Sequence, residues 1–257
     1  MNLFDLTGKV AVITGSSRGI GRSIAEHLAA AGAKVVISSR SQDTCDAVAQ
    51  TINDRHGAGT AISCVASISS KSALQRLVET THAAFGGVDI LVCNAASNPH
   101  YGPLLSISDE QFRKIFDNNV LSNHWLISLV VPGMIERGSG SIIVMSSVGG
   151  ILGHNAIGAY NVSKAADLQL VRNLAVELGP QNIRVNAIAP GVIKTDFARP
   201  LYEDEAAAGK LLAQTPLRRI GEPDDVAGAA VFLASAAAAH ISGQSIVIDG
   251  GMIINGT

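Results

Sequence analysis

Short runs of consecutive apolar, mostly β-branched residues alternate along this chain with longer stretches whose apolar positions recur at helical spacing. The runs are KVAVIT (9–14), KVVISS (34–39), TAISCV (60–65), VDILVC (88–93), SIIVMSS (141–147), NIRVNAIAP (182–190) and SIVIDGG (245–251). Between them the spacing predicts helices over 20–31, 42–55, 71–85, 109–136, 159–178 and 223–234. Pro132 lies late in the fourth of these and predicts a kink or an end close by. Strands that are apolar on both faces and joined by helices imply a parallel sheet covered on both sides. Right-handed crossovers then give one doubly wound α/β domain of about seven parallel strands. No repeat and no Pro/Ser-rich linker divides residues 1–257. One stretch, 195–216, lacks strand character; LYEDEAAAGKLL within it reads as a short helix, and the insertion is a candidate substrate lid.

Composition narrows the class. A chain of 257 residues can bury a core without disulfides or metal. With 47% hydrophobic and 16% charged residues it is no disordered chain, and with 4% aromatics its core must be built from Ala, Val, Ile and Leu. Nineteen basic against twenty-one acidic side chains give a net charge of −2, which argues against a nucleic-acid or anionic-membrane surface. Cys45, Cys64 and Cys93 cannot all pair and show no zinc spacing, so no metal is expected and the chain reads as reduced and cytoplasmic. The N-terminal MNLFDLTGKV has an acid where a signal peptide carries basic residues, and the most apolar stretch, 226–239, is too short to span a bilayer.

The first strand runs into Thr14-Gly15-Ser16-Ser17-Arg18-Gly19-Ile20-Gly21 and then a helix. Glycines allow a tight turn and close backbone approach, and a helix N-terminus offers free N–H groups and a positive dipole end. Together they suit the pyrophosphate of a dinucleotide. An acid ending the second strand would bond the ribose hydroxyls of NAD; here Ser39 and Arg40 stand there, and Arg18 lies in the glycine loop. Nothing at that position repels a 2′-phosphate, and two guanidinium groups can clamp one, so NADP(H) is expected over NAD(H).

Tyr160 and Lys164 are four residues apart on a predicted helix and so share a face. A phenol is a poor acid or base near neutrality, and an ammonium one turn away would lower its pKa toward the working range. Ser146 and Ser147 end the fifth strand, at the sheet edge where such folds place ligands.

With these pieces in order, the chain resembles the short-chain dehydrogenase/reductase family over nearly its whole length. The matching segments are TGSSRGIG (14–21), CNAA (93–96), Asn119 in DNNV, Ser147, YNVSK (160–164), NAIAPGVIKT (186–195) and IDGG (248–251), with Ser147 thirteen residues before Tyr160. The resemblance implies a Rossmann-like fold and catalytic roles for four residues. Tyr160 would pass a proton to or from the substrate oxygen, Ser147 would hydrogen-bond that oxygen, Lys164 would lower the tyrosine pKa and hold the nicotinamide ribose, and Asn119 would hold a relay water. It implies further cofactor contacts at Ser67 and Ile68, Asn94 and Ala95, and Pro190, Gly191, Ile193 and Thr195. Two positions depart from the family pattern. Ala96 replaces the glycine of NNAG, and Ser67 replaces an aspartate that bonds the adenine amine. Cys93 reads as a packed thiol.

NAASNPHYGP (94–103) followed by GVIKTDFAR (191–199) is similar to the NADP-dependent carbonyl and retinal reductase branch. That similarity implies aldehydes, ketones or dicarbonyls as substrates. Mammalian members of that branch end in a peroxisomal tripeptide, whereas this chain ends Asn255-Gly256-Thr257. Candidate pocket residues are Asn98, His100, Val148, His154, Phe197, Leu201 and Tyr202, the last three forming an apolar lid. The alternatives are a 3-oxoacyl-thioester reductase of fatty-acid synthesis, an NAD-dependent secondary-alcohol dehydrogenase and a non-catalytic NADP sensor. The stretch GMIERGSGS (133–141) lacks the basic rim a carrier protein would need. The family resemblance implies a homotetramer.

Overall fold

The computed structural model describes residues 2–255; the C-terminal Gly256-Thr257 lie outside the described residues. Seven parallel strands form one sheet: β1 (Val10–Thr14), β2 (Lys34–Ser38), β3 (Ala61–Ser63), β4 (Ile90–Cys93), β5 (Gly140–Met145), β6 (Ile183–Pro190) and β7 (Ser245–Ile248). Their spatial order is β3-β2-β1-β4-β5-β6-β7. The expected fold class holds: a single doubly wound, Rossmann-like α/β domain. Strands β3, β4 and β7 are shorter than their apolar runs, although flanking residues such as Cys64 and Asp89 still donate backbone hydrogen bonds to the neighbouring strands.

Strand alternation decides which layer each side chain enters. On β1, Ala11 and Ile13 join the core beneath α1 (Gly19–Ala30), α2 (Gln42–His56) and α8 (Pro223–Ala234). Val12, between them, joins the opposite core beneath α3 (Lys71–Phe85), α5 (Ser122–Arg137) and α6 (Gly158–Leu178). Both faces are covered, as a parallel sheet requires.

The long helix expected over 109–136 is a correction. It splits into α4 (Asp109–Phe116), a π-turn at Asp117–Leu121, and α5. Asn119 sits in that turn with its side chain bonded outside the helix, and a wider turn accommodates it. Pro132 does not end α5, which runs on to Arg137 and stops at Gly138, whose φ of +63° is left-handed.

The chain order reverses between β1 and β4, and the crevice at the carboxyl ends of these two strands is where open α/β sheets bind ligands. Asn94, just past β4, staples it. Its backbone N–H donates to Thr14 Oγ1 at 3.0 Å, and its Nδ2 donates to the Thr14 and Gly15 carbonyls at 2.8 and 3.2 Å. The stretch 195–216 forms a 3-10 turn at Arg199–Leu201 and α7 (Glu205–Gln214), close to the short helix expected there. Among the described residues no helix is long and apolar enough to cross a membrane, and no group of His, Cys, Asp or Glu gathers as a metal set.

Candidate active site

A cleft of about 2180 Å³ opens along the carboxyl edge of the sheet. At one end Gly15, Ser17, Arg18, Gly19, Ile20 and Gly21 line its floor. Gly15 and Gly19 take left-handed φ values of +66° and +54°. A Cβ at Gly21 would collide with the Gly15 carbonyl oxygen and Asn94 Nδ2, so only glycine lets the turn close on α1. No side chain caps the start of α1, whose first N–H groups stay free for an anion. A dinucleotide fits this cradle.

Ser39 and Arg40, directly after β2, line the same end, with Ser67 and Ile68 beyond β3. Arg18 is exposed and ion-paired at 3.1 Å with Asp196, which bridges the glycine loop to the segment after β6. Asn94, Ala95, Pro190, Gly191, Ile193 and Thr195 also line the cleft.

Ser147, Tyr160 and Lys164 meet at the other end. Ser147 has extended backbone and starts the turn at Val148–Gly150. Its Oγ accepts the Gly149 N–H at 3.0 Å, which leaves its own O–H free to donate. Tyr160 packs against Phe197, ring centroids 5.8 Å apart. Lys164 is 2% exposed; its Nζ lies 5.7 Å from the centre of the Tyr160 ring. It donates to the Met145 carbonyl at 2.7 Å and to Asp167 Oδ2 at 3.0 Å.

Lys164 lowers the Tyr160 pKa as expected, but burial acts against it. Burial pushes the phenol above its ordinary value; the Lys164 ammonium and Ser147 draw it down, while Asp167 and Tyr101 raise it. The pull of Lys164 is real but outweighed. Burial also drives the Cys93 thiol far up, so it stays protonated and inert, as a packed strand-end cysteine should.

Two expected residues do not line the cleft. Asn119 is fully buried behind it: Oδ1 accepts the Ser97 N–H at 2.8 Å, and Nδ2 donates to the Ser97 carbonyl at 3.0 Å and Ser163 Oγ at 3.1 Å. Its side chain clamps the loop after β4 to α6. His100 turns to the Pro103 carbonyl, 3.3 Å away, and to Ser106 Oγ. His154 does line the cleft, its Nδ1 accepting the Ala156 N–H at 3.1 Å. Asn98, Val148, Phe197, Leu201 and Tyr202 line it as expected.

The sequence pattern did not single out Asp167 and Asn123. Asp167 is 0% exposed, and its Oδ1 accepts Asn123 Nδ2 at 3.0 Å. An acid three residues after Lys164 on one helix was the available signal.

A glycine cradle at the switch point and a serine, tyrosine and lysine at the far end of one cleft define a dinucleotide-dependent oxidoreductase. A family model described as "Enoyl-(Acyl carrier protein) reductase" matches residues 15–253. "Dehydrogenase/reductase SDR family member 4" of Oryctolagus cuniculus is 42% identical over 246 residues, covering 96% of this chain and 94% of that protein. Two solved structures share the architecture at a TM-score of 0.93. One is a 7 alpha-hydroxysteroid dehydrogenase complexed with NADH and 7-oxo glycochenodeoxycholic acid, 39% identical, with 97% of this chain and 96% of that one covered. The other is a gluconate 5-dehydrogenase from Burkholderia cenocepacia J2315 in complex with NADP and tartrate, 32% identical, with 98% of each chain covered. The chain belongs to the short-chain dehydrogenase/reductase family.

Proposed function

We propose that the protein is an NADP(H)-dependent carbonyl reductase or alcohol dehydrogenase acting on apolar ketones, aldehydes or dicarbonyls. The observation that carries this is the meeting of Ser147 and Tyr160 at the cleft wall with the Lys164 ammonium beside the ring. A nicotinamide bound in the cleft would supply or take the hydride. Tyr160 gives its phenolic proton to the carbonyl oxygen in reduction and takes it back in oxidation. Ser147 donates its free O–H to the same oxygen and so stabilises the charge that develops there. Two of the three Lys164 N–H donors are spent on Met145 and Asp167, which leaves one for a ribose hydroxyl. Asn119 keeps the loop after β4 in place.

Phe197 packs on the Tyr160 ring, and Leu201 and Tyr202 line the same cleft, Tyr202 Oη donating to the Thr195 carbonyl at 3.0 Å. These side chains support apolar carbonyls over sugars and the lid role of 195–216. The homotetramer rests on the family resemblance. The reduced cysteines support a cytoplasmic site of action.

The two structural neighbours hold NADH and NADP respectively, so cofactor choice rests on the residues after β2. Ser39 and Arg40 leave room for a 2′-phosphate and supply a cation. Placing a carboxylate there by Ser39→Asp sets a like charge against that phosphate. The ratio of kcat/KM for NADPH to that for NADH is expected to fall about tenfold or more, the worth of one or two charge-assisted hydrogen bonds. An unchanged ratio would remove the phosphate clamp from the proposal.

A further inference from the structure

We propose that Asp167 is a positioning residue: a buried counter-ion that anchors the Lys164 ammonium and offsets part of the charge it presents to Tyr160. This rests on reading Tyr160 as the proton donor of the cleft. Lys164 and Asp167 are 2% and 0% exposed, and their atoms lie 3.0 Å apart. A charge so buried is costly unless its hydrogen bonds are met, and here both partners are held. Asn123 Nδ2 supports Asp167 Oδ1 at 3.0 Å and reaches the Asn119 carbonyl at 2.6 Å, tying the pair to the π-turn. The Met145 carbonyl fixes the ammonium from β5.

Lys164 is therefore half of a neutral pair rather than a lone cation beneath the phenol. Its attraction for a phenolate is reduced by the carboxylate behind it. The phenol then keeps its proton to higher pH, which extends the high-pH limb of carbonyl reduction.

None of the other groups around Tyr160 offsets the Lys164 charge. Cys93 on β4 is a neutral thiol, and Tyr101 in the loop after β4 raises the phenol further. Ser146 and Ser147 after β5, and Asn119 and Asn123 beside α6, carry no charge. His154 lines the cleft from the loop before α6. Asp196, next to Phe197, is paired with Arg18 at 3.1 Å and Arg199 at 2.8 Å.

The test is an ultraviolet tyrosinate titration of the full chain, with Asp167→Asn beside the parent. The protein has three tyrosines, so each curve is read as the difference from its Tyr160→Phe counterpart. Removing the carboxylate should lower the Tyr160 midpoint by about one pH unit. The high-pH limb of carbonyl reduction should fall with it. Asn123→Ala leaves the ion pair in place, and its midpoint should stay with the parent. Asp167→Ala serves as the second variant and should shift in the same direction as Asp167→Asn. A midpoint that stays or rises in the Asp167 variants overturns the proposal. Failure of both to fold also overturns it, since Asp167 would then serve the fold alone. The titration needs no substrate, so lack of turnover on every carbonyl would count against the proposed function and leave this result readable.

Discussion

Tyr160→Phe is expected to cut kcat by about a hundred- to ten-thousand-fold while NADPH binds as before. The substitution removes one oxygen. The ring stays, and with it the packing on Phe197 at 5.8 Å. The glycine cradle, Ser39 and Arg40 sit at the opposite end of the cleft and are untouched. Ser147 can still donate to the substrate oxygen, so stabilisation of the developing charge survives, but no group delivers a proton. Binding is read by NADPH fluorescence and turnover by nicotinamide absorbance. Normal turnover in this variant would place the proton donor elsewhere.

Lys164→Met should be the most damaging single change to stability. It strands the Asp167 carboxylate at 0% exposure with Asn123 as its remaining side-chain partner. Breaking a buried pair from one side costs about 3–5 kcal/mol. The loss should depend on pH. Burial raises Asp167 above the ordinary carboxylate value even in the parent, where Lys164 draws it back down. Without Lys164 only the upward push of burial and the weaker help of Asn123 remain. The folded pKa then lies above the unfolded one, so the folded variant is favoured by acid and loses stability as pH rises through that folded value. Urea unfolding of variant and parent should show a deficit that is smallest in acid and grows toward neutrality. A deficit that is equal at every pH would mean that Asp167 does not carry the charge assigned to it.

The sheet was legible because each strand is a run of Val, Ile and Ala bounded by glycine or polar residues, and a buried parallel strand needs little else. The cradle was legible because Gly15, Gly19 and Gly21 meet steric demands that other residues cannot. Tyr160 and Lys164 showed through helical spacing. The π-turn at Asp117–Leu121 did not, because its cause is tertiary: Asn119 reaches out to Ser97 across the cleft loop. Burial around Tyr160 was equally hidden, since Phe197 reaches the ring from the segment after β6. Helical spacing gave the pair Tyr160 and Lys164 and the direction of the lysine's effect, but not the burial that opposes it. His100 was placed near the cleft by its position in a loop, and a local turn to Pro103 took it away.

The most direct test of the proposed function follows loss of NADPH absorbance against a panel of carbonyls. The panel holds aromatic aldehydes, α-diketones, β-keto esters, an acetoacetyl thioester, retinal and sugars. The expected result is turnover of the apolar ketones, aldehydes or diketones, faster with NADPH than with NADH. Turnover of the thioester alone, or none on any carbonyl while NADPH binds, would contradict it.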